Sequence, residues 1–236
     1  MEIFFQNRIN TLIFETNIDM KDYFMNQGIS NSILIRTWSP DANKIECKQP
    51  DFWKEHELNS KDVMVYSGNF GFSQPIEVVL DFIKKHSKQI LVLLGDGSQK
   101  NRIYKYVAEN KIKNVIFHDF LAKEEYAYIL KNSKFGIISL RNDIDGFSSK
   151  MTTYLAYDLP VLAFIGHNND MHEIIDKYHC GIIINNKSSN LSHIVTSGVE
   201  YEALKNNTKK AKEIFNKNLN LNKFVKTIEL LSYTKQ

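Results

Sequence analysis

Between Lys61 and Ile194 short apolar runs alternate with amphipathic stretches, and this alternation constrains the fold more than any other feature of the chain. The runs are Val63–Tyr66, Ile90–Leu94, Asn114–Phe117, Phe135–Ser139, Pro160–Phe164 and Gly181–Ile184. Each is short enough for a strand and too short for a helix, and a strand covered on both faces is apolar throughout. Between them lie Pro75–Lys85, Lys100–Asn110, Ala122–Asn132, Ser149–Tyr157 and Asp170–Lys177. The first of these sets Ile76, Val79, Leu80 and Ile83 on one helical face, and Pro75 suits its first turn. Repeated β-α units predict an α/β domain with a doubly wound parallel sheet and right-handed crossovers. Ligands of such domains sit at the carboxyl ends of the strands. The loops 68–74, 95–99, 118–123, 140–150 and 166–170 are therefore where function is expected.

Composition narrows the class. A chain of 236 residues holds one full domain plus an appendage, or two small ones. Thirty basic against 27 acidic side chains leave a net charge of +3, which excludes a polybasic nucleic-acid binder. Lys209, Lys210 and Lys212, with Glu213 interleaved, read as a solvated helix face. A hydrophobic share of 43% supports a sizeable core. Cys47 and Cys180 form no CxxC, so neither a disulfide framework nor a zinc knuckle is expected. His167, Asp170, His172 and Glu173 lack metal-ligand spacing, and no metal is expected. Asn7, Arg8 and Asn10 interrupt any secretory h-region, and no apolar run approaches the ~20 residues that span a bilayer. A cytoplasmic protein is expected, with any contact at the inner membrane face made through a partner.

The two ends read differently. Met1–Thr11 reads as a helix, Leu12–Glu15 as a strand, Met20–Asn26 as a helix and Ile33–Ile35 as a strand. About one β-α-β unit of roughly 40 residues cannot bury its own core. Asn43–His56 reads as a linker with one short helix. Glu200–Asn218 and Asn222–Tyr233 read as Lys- and Asn-rich helices.

Several segments together resemble a known family. Tyr66-Ser67-Gly68-Asn69-Phe70-Gly71 resembles the strand-loop that opens the C-terminal domain of retaining GT-B glycosyltransferases of the large family 4. Leu93-Leu94-Gly95-Asp96-Gly97 is similar to that family's GDG turn. Asn114–Phe117 with His118–Leu121 is similar to its base-binding strand and loop. Ser149-Lys150, Tyr154-Leu155-Ala156 and Leu159–Ala163 resemble its PSK…EYLA…PVLA block, and Gly181-Ile182-Ile183 the strand after it. Leu12–Thr16 with Met20–Tyr23 resembles the last strand and helix of the family's N-terminal domain, so the pieces run collinearly from about Leu12 to Ile194. On this resemblance residues 1–45 are a remnant of the N-terminal domain with its crossover. Residues 46–196 are the nucleotide-sugar-binding domain, and 197–236 are C-terminal helices. The chain is then a half enzyme.

The resemblance implies a site and partners. A UDP-linked sugar nucleotide is the implied substrate, with a glycan or surface polysaccharide as acceptor and no cofactor or metal. A second chain supplying the acceptor domain, or a homo-oligomer, is the implied partner. The donor would meet Gly68, Asn69 and Gly71, and Phe120 would stack on the base. Arg141 and Lys150 are the cation candidates. Gly146, Phe147, Ser148 and Ser149 precede or open a helix whose N–H groups suit phosphate, although serine there is also an ordinary N-cap. Asp145 and Thr153 stand where the family has an acidic pair, and Asn69 and Gln74 where it has cations. These departures open a second reading, a non-catalytic module acting as a partner or regulatory subunit. A nucleotide-sugar epimerase on the same architecture is a third.

Overall fold

The computed structural model describes residues 13–15, 23–26, 28, 32–60, 62–143, 147–166, 170–184 and 198–233. Strands β1 (Ile13–Glu15) and β2 (Ser32–Leu34) form a two-stranded parallel sheet. Strands β3 (Val63–Ser67), β4 (Ile90–Leu94), β5 (Val115–His118), β6 (Phe135–Ser139), β7 (Val161–Phe164) and β8 (Gly181–Ile183) form a six-stranded one. The helices are α1 (Asp51–Glu55), α2 (Ile76–Lys85), α3 (Lys100–Glu109), α4 (Lys123–Asn132), α5 (Ser149–Ala156), α6 (Asp170–Tyr178), α7 (Gly198–Ala211) and α8 (Lys217–Tyr233). The expected helix Met1–Thr11 lies outside the described residues.

All pairings in the large sheet are parallel, in the order β5-β4-β3-β6-β7-β8. Counted from β3 as the first strand, this is the doubly wound order 3-2-1-4-5-6, with its switch point between β3 and β6. Side chains alternate across each strand, so consecutive residues feed two cores. Val63, Val65, Val92, Ile138 and Val161 join helices α4, α5 and α6. Met64, Tyr66, Leu91, Leu93 and Ile137 join α2 and α3. Burial on both faces explains why the strands read as unbroken apolar runs.

The tail departs from expectation. The helix foreseen over Glu200–Asn218 stops at Ala211 and tightens into a 3-10 turn, Lys212–Phe215. That turn carries Phe215 into the core at 0% exposure. Asn216 then caps the next helix, its Oδ1 accepting from the N–H groups of Asn218 at 2.9 Å and Leu219 at 3.3 Å. Helix α8 consequently begins before the expected Asn222. Lys212 pairs with Asp158 at 2.6 Å, so this part of the basic run is structural.

The segment after β2 is tied to the tail. Arg36 makes a bidentate ion pair with Asp170, one arm at 2.6 Å, and Asp170 is 1% exposed. Asn220 Oδ1 accepts from the Arg36 N–H at 3.0 Å, and the Phe215 carbonyl accepts from the Ser39 N–H at 3.0 Å. Phe52 and Trp53 of α1 enter the same core as Phe215. Among the described residues no helix is long and apolar enough to cross a membrane.

Candidate functional site

The carboxyl ends of β3, β4 and β6 are laced together by backbone bonds. The Gly68 N–H donates to the Leu94 carbonyl at 2.9 Å and the Phe70 N–H to that of Asp96 at 2.8 Å. The Gln99 N–H reaches the Phe70 carbonyl at 2.9 Å, and the Arg141 N–H reaches that of Ser73 at 3.1 Å. Two glycines make this approach feasible. Gly95 has φ +134°, and a Cβ there would fall 2.1 Å from the Gly68 oxygen. Gly68 has φ +132°, and a Cβ there would lie 3.0 Å from Lys150 Cε and 3.2 Å from its Nζ.

Lys150 therefore stands directly over Gly68. Its ammonium lies 5.1 Å from the centroid of the Tyr66 ring, a cation–π contact. No carboxylate among the described residues pairs with it, and burial lowers its pKa from the ordinary lysine value. Helix α5 presents it in its first turn. Ser148 precedes that helix, yet its side chain makes no capping bond. Its N–H donates to Met171 Sδ at 3.3 Å. No described residue accepts from the N–H groups of Ser149 or Lys150. Among the described residues, the N-terminus of α5 thus keeps open donors and the positive end of its dipole beside a cation that no carboxylate meets.

The other expected residues are placed variously. Asn69 is exposed, its amide beside Gly71 and Gly97, and the Tyr66 hydroxyl donates to its carbonyl at 2.7 Å. Gln74 Oε1 is buried and finds no partner among the described residues. Phe120 is 72% exposed rather than part of the core. Its neighbours are engaged: His118 packs on the Phe52 ring at 4.8 Å, and Asp119 pairs with Lys100 at 2.5 Å. Three residues are less available than expected. Arg141 is held by Asp143 through two bonds, one at 2.9 Å. The Thr153 hydroxyl donates back to the Ser149 carbonyl at 3.3 Å. Phe147 packs against Phe215, 5.5 Å between ring centroids. Asp145 and Gly146 lie outside the described residues.

Four further side chains enter the site, none of which the motif reading gave a role there. Tyr66 supplies the ring under Lys150. Tyr126, Ser67 and Tyr154 form a chain of hydroxyls just beneath Gly68, with Ser67 Oγ 2.6 Å from Tyr126 and 3.4 Å from Tyr154. Burial raises the pKa of both tyrosines, so they are neutral hydrogen-bonding groups. The i, i+4 spacing of Lys150 and Tyr154 was the available signal.

A cavity of about 270 Å³ opens elsewhere, lined by Leu130, Ser133, Tyr157, Leu159 and Tyr201 among others. Ser133 and Leu159 precede β6 and β7, so it lies at the amino ends of the strands, away from Lys150.

A doubly wound parallel sheet with laced loops at its switch point and an open helix N-terminus there is a Rossmann-like arrangement. Residues 48–215 match the family described as glycosyl transferases group 1, and the chain belongs to that family. No curated protein matches. Among solved structures, the chain is similar to a sucrose-phosphate synthase from Thermosynechococcus elongatus, with 15% identity and a TM-score of 0.73 over 94% of this chain and 59% of that one. It is also similar to Anabaena HepE solved in complex with UDP-glucose, with 15% identity and a TM-score of 0.75 over 96% and 66%. TarM of S. aureus, solved with UDP among its ligands, matches at 16% identity and a TM-score of 0.68 over 95% and 45%. These are GT-B glycosyltransferases, and the chain shares their fold while spanning less than two thirds of the length of each.

Proposed function

We propose that the chain is the donor-binding half of a retaining GT-B glycosyltransferase that holds a UDP-linked sugar and passes the sugar to a surface polysaccharide or other glycan. The observation that carries this reading is the Lys150 amine, a cation without a carboxylate partner among the described residues, set beside an uncapped helix N-terminus. A diphosphate is the ligand that answers a cation and open N–H groups together. The UDP and UDP-glucose complexes of the structural relatives support uridine as the base. In this reading Gly68, Asn69 and Gly71 border the diphosphate. Ser148, Ser149 and Lys150 bind it, with Asp145 and Gly146 just ahead of them. Thr153 accepts a ribose hydroxyl, and Phe120 stacks on the base. Gln74 Oε1, buried and without a partner among the described residues, accepts a donor hydroxyl.

The boundaries at 45 and 196 then separate an acceptor-side remnant, the donor domain and the C-terminal helices. Transfer needs a closed cleft that aligns the acceptor with the anomeric carbon and excludes water. We assign the facing wall to a second chain or a second protomer, in the cytoplasm at the inner membrane face, with no metal in the chemistry. Titration of the purified chain with UDP, GDP and their sugar conjugates by calorimetry tests the donor reading. A saturable UDP signal that disappears in Lys150→Ala supports it, and no binding at millimolar nucleotide refutes it.

A second reading has its own support. Asn69 and Gln74 bring no charge, Arg141 is neutralised by Asp143, and Thr153 stands in place of a carboxylate. A chain that binds UDP-sugar yet transfers nothing with any partner present is a non-catalytic module.

A further inference from the structure

Strand β3 pairs with β4 along its whole length, from Val63↔Ile90 to Ser67↔Leu94. It pairs with β6 only at Met64↔Phe135 and Val65↔Gly136. In a parallel ladder that sets Val65 opposite Gly136, the next bond in line runs from the Ser67 N–H to the Ile137 carbonyl. The Tyr154 hydroxyl occupies that place. It accepts from the Ser67 N–H at 3.2 Å and donates to the Ile137 carbonyl at 3.3 Å. Two bonds now bridge a gap that one bond of about 2.9 Å would close. The ring reaches the gap through Gly136, where a Cβ would lie 2.4 Å from it. Tyr154 is fully buried, and Tyr126 steadies the arrangement through the Ser67 hydroxyl. One helical turn before Tyr154, on the same face of α5, is Lys150.

We infer that Tyr154 is a positioning residue: its hydroxyl, wedged between β3 and β6, holds open the crevice that takes the donor's diphosphate and sets Lys150 over Gly68. The inference rests on the donor reading above. Without the hydroxyl, the Ser67 N–H and the Ile137 carbonyl are left facing each other, and a direct bond between them draws the end of β3 toward β6. Gly68 moves with it, and the register between Gly68 and Lys150 is lost. The loop that carries Phe120 follows β5, beyond β4 from the wedge, and is left in place. The effect therefore falls on the phosphates of the ligand and spares the base.

The test compares Tyr154→Phe with wild type, using calorimetry for UDP and ligand-observed NMR for uridine. The expected result is a loss of UDP affinity of tenfold or more with uridine affinity unchanged within twofold. A general loosening of the domain would weaken both ligands together. Should Tyr154→Phe fail to fold, Tyr126→Phe frees the wedge's anchor from a half-buried position, and a two- to fivefold fall in the UDP-to-uridine ratio is expected. A wild-type chain that binds UDP, with that ratio unchanged in the folded variant, overturns the inference alone. A wild-type chain that binds neither ligand overturns the donor reading and the inference together.

Discussion

Replacing Lys150 by methionine should move stability and nucleotide affinity in opposite directions. The ammonium gains about 0.5–2 kcal/mol from the ring of Tyr66 beneath it. Burial opposes that gain with a desolvation cost that lowers the pKa from the ordinary lysine value, and the cost is expected to be the larger. Methionine keeps the reach and the contact with Tyr66 and drops the charge. A net stabilisation of about 1 kcal/mol, or roughly 2–4 °C in Tm, follows for a chain of this size. UDP affinity loses one charge-assisted bond of about 1.5–3 kcal/mol, which is ~10–150-fold. The pH dependence has a definite sign. With the folded-state pKa below the unfolded one, the cost of the ammonium is present in full below the folded pKa and vanishes as pH rises past about 10.5. The stability gap between variant and wild type should therefore narrow on the alkaline side. Thermal denaturation at pH 7.5 and pH 10.5, with calorimetric titration of UDP, reads both quantities. A variant that melts below wild type, or binds UDP within twofold of it, refutes the reasoning.

Three other outcomes follow from the packing. Gly95→Ala combines a φ that costs about 1–3 kcal/mol with a Cβ driven into the Gly68 oxygen, so the urea midpoint should fall by the equivalent of at least about 3 kcal/mol. Arg36→Ala leaves the buried Asp170 carboxylate without its guanidinium, and chemical denaturation should show a loss of about 3–5 kcal/mol. Burial pushes the Cys180 thiol up to about 12, so alkylation at pH 8 followed by peptide mass mapping should label Cys47 and reach Cys180 only after unfolding.

The six strands of the main sheet and the helices between them were legible because burial on both faces forces apolar runs that no charge interrupts. Ile90–Leu94 and Phe135–Ser139 coincide with their observed bounds for this reason. The tail was less legible. Its Lys- and Asn-rich sequence continues through the break at Ala211, and only the adjacent Phe215 and Asn216, a core residue beside a cap, mark it. In the candidate site, Gly68 and Lys150 were both named from sequence, but not their contact across the switch point. Arg141 was read as an available cation, and its neutralisation by Asp143 two positions on depends on loop conformation. The hydroxyl chain was hidden for a topological reason, since Ser67 lies 59 positions from Tyr126 and 87 from Tyr154.

The order of the strands also means that the two sides of the sheet are completed at different moments of synthesis. As the chain leaves the ribosome, β3, β4 and β5 can assemble in sequence, each one β-α unit from the last. The other neighbour of β3 arrives about 70 residues later, when Phe135 emerges to meet Met64. At translation rates of roughly 5–20 residues per second, the interval lasts several seconds. Throughout it the central strand shows a bare apolar edge, the kind that recruits strands from other nascent chains. The stretch from Gly68 to Lys134 is therefore the window in which this polypeptide most needs a chaperone's cover.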